Sequence, residues 1–166
     1  ITGSHGFIGI NFLLYFIYLN KFILKNNKCK IYCIDNFKKK PENWIKKLVS
    51  KNKNILEINK DITKIKVFPN VDYVIHAASI ASPTFYRKFP LDTLDANVNG
   101  LRNLLEYYKN KNTINILYLS SSEIYGNPPA NKIPTDESYN GNVSILGPRA
   151  CYDESKRLGE TLCYIF

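Results

Sequence analysis

The chain has 166 residues, which is long enough for one domain with a hydrophobic core. Hydrophobic residues make up 45% of it and aromatic residues 13%, a composition too apolar for a disordered protein. The formal net charge of +9 comes mainly from lysines spread along the sequence, and the densest run, 38–40, is short. We therefore expect no nucleic-acid-binding surface, because such a surface needs basic residues clustered on one face.

The cysteines and the two ends of the sequence lead to expectations about the protein's cellular compartment and about its full length. Four cysteines show no metal-ligand spacing, so we expect no metal site, reduced thiols and a cytoplasmic protein. Cys29 and Cys33 flank or lie in an apolar strand pattern and are expected to be buried or half-buried. The apolar run 12–19 is too short to cross a bilayer. The chain starts at Ile1, and a helical pattern continues up to Phe166, so we expect an internal fragment. An N-terminal membrane anchor in the parent protein is compatible with this expectation.

Three glycines near the start have the spacing G-x-x-G-x-x-G: Gly3, Gly6 and Gly9. Ile1 and Thr2 read as the end of a strand, and an apolar helix follows the glycines, to about residue 20. Such glycines allow a tight turn and a close approach of backbone to a pyrophosphate, which the helix N-terminus then binds. The pattern predicts a dinucleotide site, with the intervening His5 facing solvent.

A second strand, 30–35, ends in an acid, Asp35. A carboxylate at this place accepts hydrogen bonds from the adenosine ribose and repels a 2′-phosphate, so NAD is favoured over NADP. The polar tract 20–28 explains why Asp35 follows the glycines later than usual.

Further strands and helices alternate along the rest of the chain. We predict helices at 41–50 and 91–110 and strands at 54–58, 71–76 and 115–119, with a long functional loop at 127–148. This alternation predicts an α/β fold with an open parallel sheet and its ligand at the carboxyl ends of the strands. His76 is expected to be a structural residue at the end of its strand.

Tyr152 and Lys156 are four residues apart, which places them on one face of a helix. An ammonium held near a phenol favours the phenolate, and such a tyrosine can exchange protons with a substrate hydroxyl. A hydroxyl-rich strand end, Ser120–Ser122, with Glu123 after it, precedes the pair.

Taken in order, these motifs resemble the extended short-chain dehydrogenase/reductase superfamily, in its NAD-dependent epimerase/dehydratase branch. The resemblance rests on T-G-S-H-G-F-I-G, I-D-N-F, D-I, H-A-A-S, S-S-S-E-I-Y-G and Y-D-E-S-K, and it covers the whole chain. Within that branch, G-P-R-A-C-Y-D-E-S-K-R is most similar to the UDP-glucuronate decarboxylase subfamily, apart from a serine where a glycine is usual. Ser121 stands where that subfamily usually has threonine.

The resemblance implies a Rossmann-like, doubly wound parallel sheet in a single partial NAD-binding domain, 1–166. The first strand and the C-terminal substrate-binding part would be missing, and the fragment alone would be inactive. The positions that match cofactor contacts are Gly3, Gly6, Phe7, Ile8, Gly9, Asp35, Asn36, Asp61, Ile62, Ala78, Ser79, Tyr152 and Lys156.

The resemblance also implies a mechanism on a UDP-sugar. Tyr152 would take the proton of the sugar's 4-hydroxyl, Lys156 would hold the phenolate, and Ser121 would bind the 4-oxygen. Oxidation at carbon 4 would give a 4-keto acid that loses carbon dioxide, after which hydride return would yield UDP-xylose with NAD recycled. Ser122 and Glu123 would assist near carbon 5. Further positions that match substrate contacts are Ser82, Tyr86 and Arg149.

Two other readings stay open at this point. A sibling 4-epimerase or 4,6-dehydratase would use the same Tyr152 and Lys156, although Ser122 stands where the dehydratases carry an aspartate that acts as the acid. A non-catalytic NAD-binding relative would keep only the fold. The resemblance further implies that the full-length parent is a homodimer.

Overall fold

The computed structural model describes all 166 residues and has four parallel strands at its centre. The strands are β1 (Ile31–Asp35), β2 (Ile55–Asn59), β3 (Tyr73–His76) and β4 (Asn115–Tyr118). In register, β1 pairs with β2 from Ile31↔Ile55, and β3 pairs with β4 from Tyr73↔Asn115. Thr2 forms parallel bridges to both Ile34 and His76, so it joins the two pairs in the order β2-β1-Thr2-β3-β4.

Six helices accompany the strands. They are α1 (Phe7–Tyr18), α2 (Asn43–Ser50), α3 (Pro83–Lys88), α4 (Pro90–Asp95), α5 (Leu101–Tyr108) and α6 (Ala150–Ile165). Wider π-helical turns extend α1 over Leu19–Ile23 and join α4 to α5 over Ala96–Gly100. Two short 3₁₀ turns occupy Ser122–Tyr125 and Ala130–Lys132. No helix has both the length and the apolar character that a membrane crossing requires.

Two hydrophobic clusters lie on opposite faces of the sheet, because successive strand residues point to opposite sides. Ile31 and Cys33 of β1 pack with Leu13 of α1 on one face. Ile34 of β1 packs with Leu104 of α5 on the other face. Helices therefore cover both faces, which confirms the predicted partial Rossmann-like, doubly wound α/β fold.

Several sequence-based boundaries were wrong in detail. The helix expected at 41–50 begins at Asn43, because Glu42 is still extended. The helix expected at 91–110 is α4, a π-helical turn and α5, and α3 was not foreseen. Cys33 is buried as expected, and its burial raises the pKa of its thiol to about 11. Cys29 is exposed, because it precedes β1 rather than lying inside it.

Candidate active site

The glycine loop lies against the segment that follows β3. Gly3 has a positive φ of 63°, and a Cβ there would lie 2.6 Å from the Ala77 carbonyl oxygen and from the Ala78 nitrogen. A side chain at Gly9 would overlap the backbone of Gly3. Gly3 and Gly9 are therefore required by the close approach of backbone segments within the protein, and their predicted approach to a pyrophosphate stays a prediction.

The first turn of α1 is open to solvent. Gly6 is the extended residue before the helix and supplies no side-chain cap, and Phe7 is 86% exposed. Ile8 is half-exposed beside it. The N–H groups of a first helical turn have no partner within the helix and carry a partial positive charge. This turn can therefore accept an anionic group such as a phosphate.

The Asp35 carboxylate lies directly beside the glycine loop. One of its oxygens accepts a hydrogen bond from the His5 backbone N–H at 3.0 Å, and the other accepts from the Phe37 N–H at 2.9 Å. The neighbouring Asn36 is exposed, and its side-chain oxygen accepts from the Lys38 N–H at 3.1 Å. The carboxylate is thus held at the end of β1 by the loop that begins α1.

His5 does not face solvent, so the prediction made for it was wrong. Its ring is buried, with Nδ1 3.0 Å from the Ser4 hydroxyl and Nε2 2.9 Å from a Glu57 carboxylate oxygen. The ring also lies 4.7 Å from the Phe37 ring. Glu57 belongs to β2 and is distant in the sequence, so periodicity alone could not reveal this pairing.

Further predicted cofactor positions surround the same edge of the sheet. The Asp61 carboxylate accepts from the Thr63 N–H at 3.0 Å and from its hydroxyl at 2.8 Å. Partial burial pushes the pKa of Asp61 upward, but the hydrogen bonds from Thr63 and Asn36 outweigh it and lower the pKa overall. Ile62 is buried in the core, where it packs with Ile34, Leu104 and their neighbours.

The segment after β3 has an unusual polar group. The Ala78 N–H donates to the Thr2 hydroxyl at 3.4 Å, and the neighbouring Ser79 hydroxyl is buried with no hydrogen-bond partner. A buried hydroxyl without a partner is rare in folded proteins, and this one keeps its hydrogen-bonding capacity free at the carboxyl edge of the sheet.

Tyr152 and Lys156 lie on the first half of α6 and are only 6% and 5% exposed. The Lys156 ammonium donates to the Leu119 carbonyl oxygen at 2.6 Å, just past β4, and lies 5.9 Å from the centre of the Tyr152 ring. Burial lowers the pKa of Lys156 to about 8. Tyr86 of α3 is 2% exposed and stacks on the Tyr152 ring with centroids 5.1 Å apart.

The hydroxyl-rich strand end leads into the 3₁₀ turn that packs against α6. Ser121 caps this turn, since its hydroxyl accepts from the Glu123 N–H at 3.3 Å, and Ser122 is exposed. The Glu123 carboxylate forms an ion pair with the Arg149 guanidinium, whose Nε also lies 3.5 Å from an Asp153 carboxylate oxygen. The predicted residues of the two motifs are therefore brought together at the carboxyl end of β4.

The three predicted substrate-binding residues lie in different surroundings. Arg149 reaches the site, as described, and Ser82 is exposed at the residue before α3. Tyr86 is buried behind Tyr152, so its side chain stacks on the Tyr152 ring and does not face solvent.

Two side chains that support the site, those of Asn97 and Arg157, were not identified from the sequence. Asn97, in the π-helical turn, donates to the Ser155 hydroxyl at 2.8 Å, and Ser155 donates to the Tyr152 carbonyl oxygen at 2.9 Å. Arg157 donates to the carbonyl oxygens of Ile124 at 2.9 Å and Asn140 at 2.8 Å, which ties α6 to the 3₁₀ turn at Ser122–Tyr125 and to the long loop. Ser155 is the serine found where the motif usually has glycine. This difference was the feature of the sequence that could have indicated the contact with Asn97.

The residues along this edge fit a dinucleotide such as NAD. Gly3 removes the side chain that would block close approach, α1 offers an open first turn, Asp35 presents a carboxylate, and Ser79 has an unpartnered hydroxyl. The class of molecule is thus an α/β protein whose glycine loop and sheet edge fit a dinucleotide, with a buried tyrosine–lysine pair at the carboxyl end of β4.

Comparison with known proteins makes the assignment specific. The chain matches the NAD dependent epimerase/dehydratase family over residues 1–166, and it belongs to that family. The predicted NAD cofactor is thereby confirmed for the family.

Within the family, the chain is similar to UDP-glucuronic acid decarboxylases. The chain is 36% identical over 170 residues to UDP-glucuronic acid decarboxylase 1 of Danio rerio, covering 100% of this chain and 37% of that protein. It is 37% identical over 164 residues to UDP-glucuronic acid decarboxylase 6 of Arabidopsis thaliana, covering 99% of this chain and 44% of that protein. The chain thus spans less than half the length of either relative.

A solved structure with a related fold is the UDP-N-acetylglucosamine 4-epimerase of Methanobrevibacter ruminantium M1, in complex with UDP-N-acetylmuramic acid. It is 27% identical, with a TM-score of 0.74, and the match covers 99% of this chain and 48% of that chain.

Proposed function

We propose that the protein containing this chain decarboxylates UDP-glucuronate to UDP-xylose with NAD as a recycled cofactor. The observation that carries the proposal is the meeting of two pairs at the carboxyl end of β4: the buried Tyr152 and Lys156, and the ion pair of Glu123 with Arg149. The identity of 36% to 37% with UDP-glucuronic acid decarboxylases, over essentially the whole chain, supports it.

Tyr152 is the proposed base for the sugar's 4-hydroxyl. Its ring is fixed by stacking on Tyr86, and the Lys156 ammonium nearby favours the phenolate that accepts the proton. Ser121 lies at the start of the adjoining turn and is proposed to hydrogen-bond the 4-oxygen. NAD bound along this edge would supply the hydride acceptor that oxidises carbon 4 and the hydride donor that reduces it again.

Loss of carbon dioxide follows from the ketone at carbon 4. The carboxylate is then β to a carbonyl, so the bond from carbon 5 to the carboxyl breaks and its electron pair flows into the ketone as an enolate. A proton then adds to carbon 5. Ser122 and Glu123 are proposed to serve this exchange, and Arg149, which Glu123 and Asp153 hold, is proposed to bind the substrate's carboxylate.

The proposed cofactor site uses the residues along the carboxyl edge of the sheet. The open first turn of α1, with Gly6, Phe7 and Ile8, is proposed to bind the pyrophosphate, and Asp35 the adenosine ribose. The remaining proposed contacts are Gly3, Gly9, Asn36, Asp61, Ile62, Ala78, Ser79, Tyr152 and Lys156.

The test uses the full-length protein and UDP-glucuronate labelled at its carboxyl carbon. We expect labelled carbon dioxide and UDP-xylose in equal amounts, with no net consumption of NAD. Tyr152→Phe should lower turnover by about 10²- to 10⁴-fold while NAD binding, measured by calorimetry, is kept. Tyr139→Phe, a change in the long loop, is the matched control. NAD binding without either product would overturn the assignment, and full turnover by Tyr152→Phe would remove Tyr152 as the base.

A 4-epimerase is the second candidate, since the Methanobrevibacter ruminantium M1 epimerase is 27% identical over nearly the whole chain. Both reactions begin with the same proton removal by Tyr152. An inverted configuration at carbon 4 with no loss of mass, observed by NMR and mass spectrometry of the product, would favour the epimerase.

A further inference from the structure

Tyr118, the last residue of β4, lies directly beneath the Lys156 side chain. The ammonium nitrogen lies 4.9 Å from the centre of the Tyr118 ring, which is closer than its 5.9 Å distance from the Tyr152 ring. An ammonium within about 6 Å of an aromatic face is attracted by the negative face of the ring. The contacts of Lys156 are thus with Tyr118 and, at 2.6 Å, with the Leu119 carbonyl next to it.

The position of the Tyr118 ring is fixed from two sides. On one side it stacks on His76 of β3, with centroids 6.1 Å apart and an interplanar angle of 19°. On the other side, its hydroxyl fills the space left by the missing side chain of Gly159 in α6. A Cβ at Gly159 would overlap that hydroxyl and lie 2.6 Å from the ring carbon that bears it. Tyr118 and Gly159 are therefore complementary in shape.

The hydroxyl of Tyr118 makes no hydrogen bond, although it is buried. Burying a hydroxyl without a partner is unfavourable, so hydrogen bonding does not explain the residue. The ring face, which contacts the ammonium, is the part of the side chain with an identifiable role.

We propose that Tyr118 is a positioning residue of the active site: its ring face and the Leu119 carbonyl together hold the Lys156 ammonium beside Tyr152. The inference rests on the proposed function, because it concerns the lysine that assists the proposed base. Gly159 contributes by allowing the ring to lie there.

The charge of Lys156 depends on both its burial and the Tyr118 ring. Burial lowers the pKa of Lys156 to about 8, and the ring face opposes this by favouring the charged form. The titratable groups nearby are Tyr152 on the same helix and His76 on β3, with Cys163 and Glu160 facing Tyr118 itself. His76 is neutral above about pH 3, since burial lowers its pKa.

Removal of the ring face should therefore lower the pKa of Lys156 further. Because the reaction needs the ammonium, activity is lost as pH rises through this pKa, and in Tyr118→Leu the alkaline limb of the pH profile should move down by about one pH unit. Tyr118→Phe keeps the ring face and should keep the wild-type limb. Gly159→Ala displaces the ring and should resemble Tyr118→Leu.

The experiment has two readouts on the full-length protein. The first is the pH profile of UDP-glucuronate turnover. The second is the titration midpoint of Lys156, followed by NMR of ¹⁵N-labelled lysine side chains and assigned with Lys156→Arg. Tyr107→Leu is the matched control, since Tyr107 also carries a lysine over its ring, Lys111 at 5.2 Å, away from the site. Circular dichroism establishes that each variant is folded.

A lower Lys156 midpoint in Tyr118→Leu, with a wild-type midpoint in Tyr118→Phe, would support the proposal. An unchanged midpoint in folded Tyr118→Leu would overturn it, and an unchanged midpoint in Gly159→Ala would do the same if Tyr118→Leu does not fold. The NMR readout needs no substrate. Absence of decarboxylation by the wild type therefore counts against the proposed function alone.

Discussion

His76 is a buried histidine that is hydrogen-bonded at only one of its two ring nitrogens. Its Nδ1 lies 2.8 Å from the Thr2 hydroxyl, whereas Nε2 has no hydrogen-bond partner. Burial, assisted by the charge of Lys156, lowers the pKa of His76 from 6.5 to about 3. His76 ends β3 as expected, although one of its ring nitrogens is unsatisfied, and its neutrality has a consequence for stability in acid.

We expect the free energy of unfolding to fall as the pH drops from 6.5 towards 3. Over this range a histidine in the unfolded chain binds a proton and folded His76 does not, so acid favours unfolding. The contribution is fully present above pH 6.5. Denaturant unfolding at several pH values should show it as a slope of up to about 1.4 kcal/mol per pH unit.

His76→Gln removes the titrating group and should flatten that slope, even though the variant is less stable at neutral pH. An equally steep slope in His76→Gln would assign the acid sensitivity to other residues.

Single residues also mark the limit of what the sequence could predict. The positions of the glycines, of Asp35 and of the Tyr152 and Lys156 pair could be predicted, because each belongs to a motif of local spacing. The burial of His5 could not, because its partner Glu57 lies on another strand. The same holds for Tyr118, whose neighbours His76 and Gly159 come together only in the fold.

At the scale of elements, the π-helical turn at Ala96–Gly100 has the clearest effect on the site. It places Asn97 so that its amide donates to Ser155 at 2.8 Å, one turn from Tyr152 along α6. Both side chains are buried. Asn97 lies within this wider turn. A helix of regular pitch through the segment would direct its side chain differently, so the contact with Ser155 depends on the wider turn.

Asn97→Ala should therefore destabilise the protein by about 1–3 kcal/mol, because it leaves the Ser155 hydroxyl buried without its donor. Asn99→Ala is the matched control: Asn99 lies in the same turn but is exposed, and its change should stay within about 0.5 kcal/mol. Chemical denaturation of both variants measures the difference. Equal effects of the two substitutions would contradict a bracing role for Asn97.

Element types were predictable where periodicity is strong, and boundaries were not. The four strands and α6 follow from apolar patterning. The division of 91–110 into two helices does not, because α4, the π-helical turn and α5 form one continuous amphipathic stripe that no break in pattern interrupts.

At the scale of the whole molecule, apolar side chains are left open on α4 and α6. Leu91 is 78% exposed, and Leu94 and Leu158 are partly exposed. These two helices pack against each other. The homodimer expected from the sequence stays a prediction, and this pair of helices is where we expect its interface.

The full-length protein should sediment as a dimer in analytical ultracentrifugation. Leu91→Asp should shift it towards the monomer, because a carboxylate in an apolar interface must lose its hydration. Ile145→Asp is the matched control, since Ile145 is 79% exposed but lies in the long loop. A dimer that is insensitive to Leu91→Asp would place the interface elsewhere.

Thr2 lies between two halves of the sheet, the pair β1–β2 and the pair β3–β4. Its N–H donates to Ile75 at 2.9 Å, its carbonyl accepts from Ala77 at 3.1 Å, and the adjacent Gly3 N–H donates to Ile34 at 2.8 Å. Asp35 ends a strand of one half, and Lys156 is bound at the end of a strand of the other half. Two backbones, the Thr2 segment and β3, therefore lie between β1 and β4 and determine the span between the carboxylate proposed to bind the ribose and Lys156.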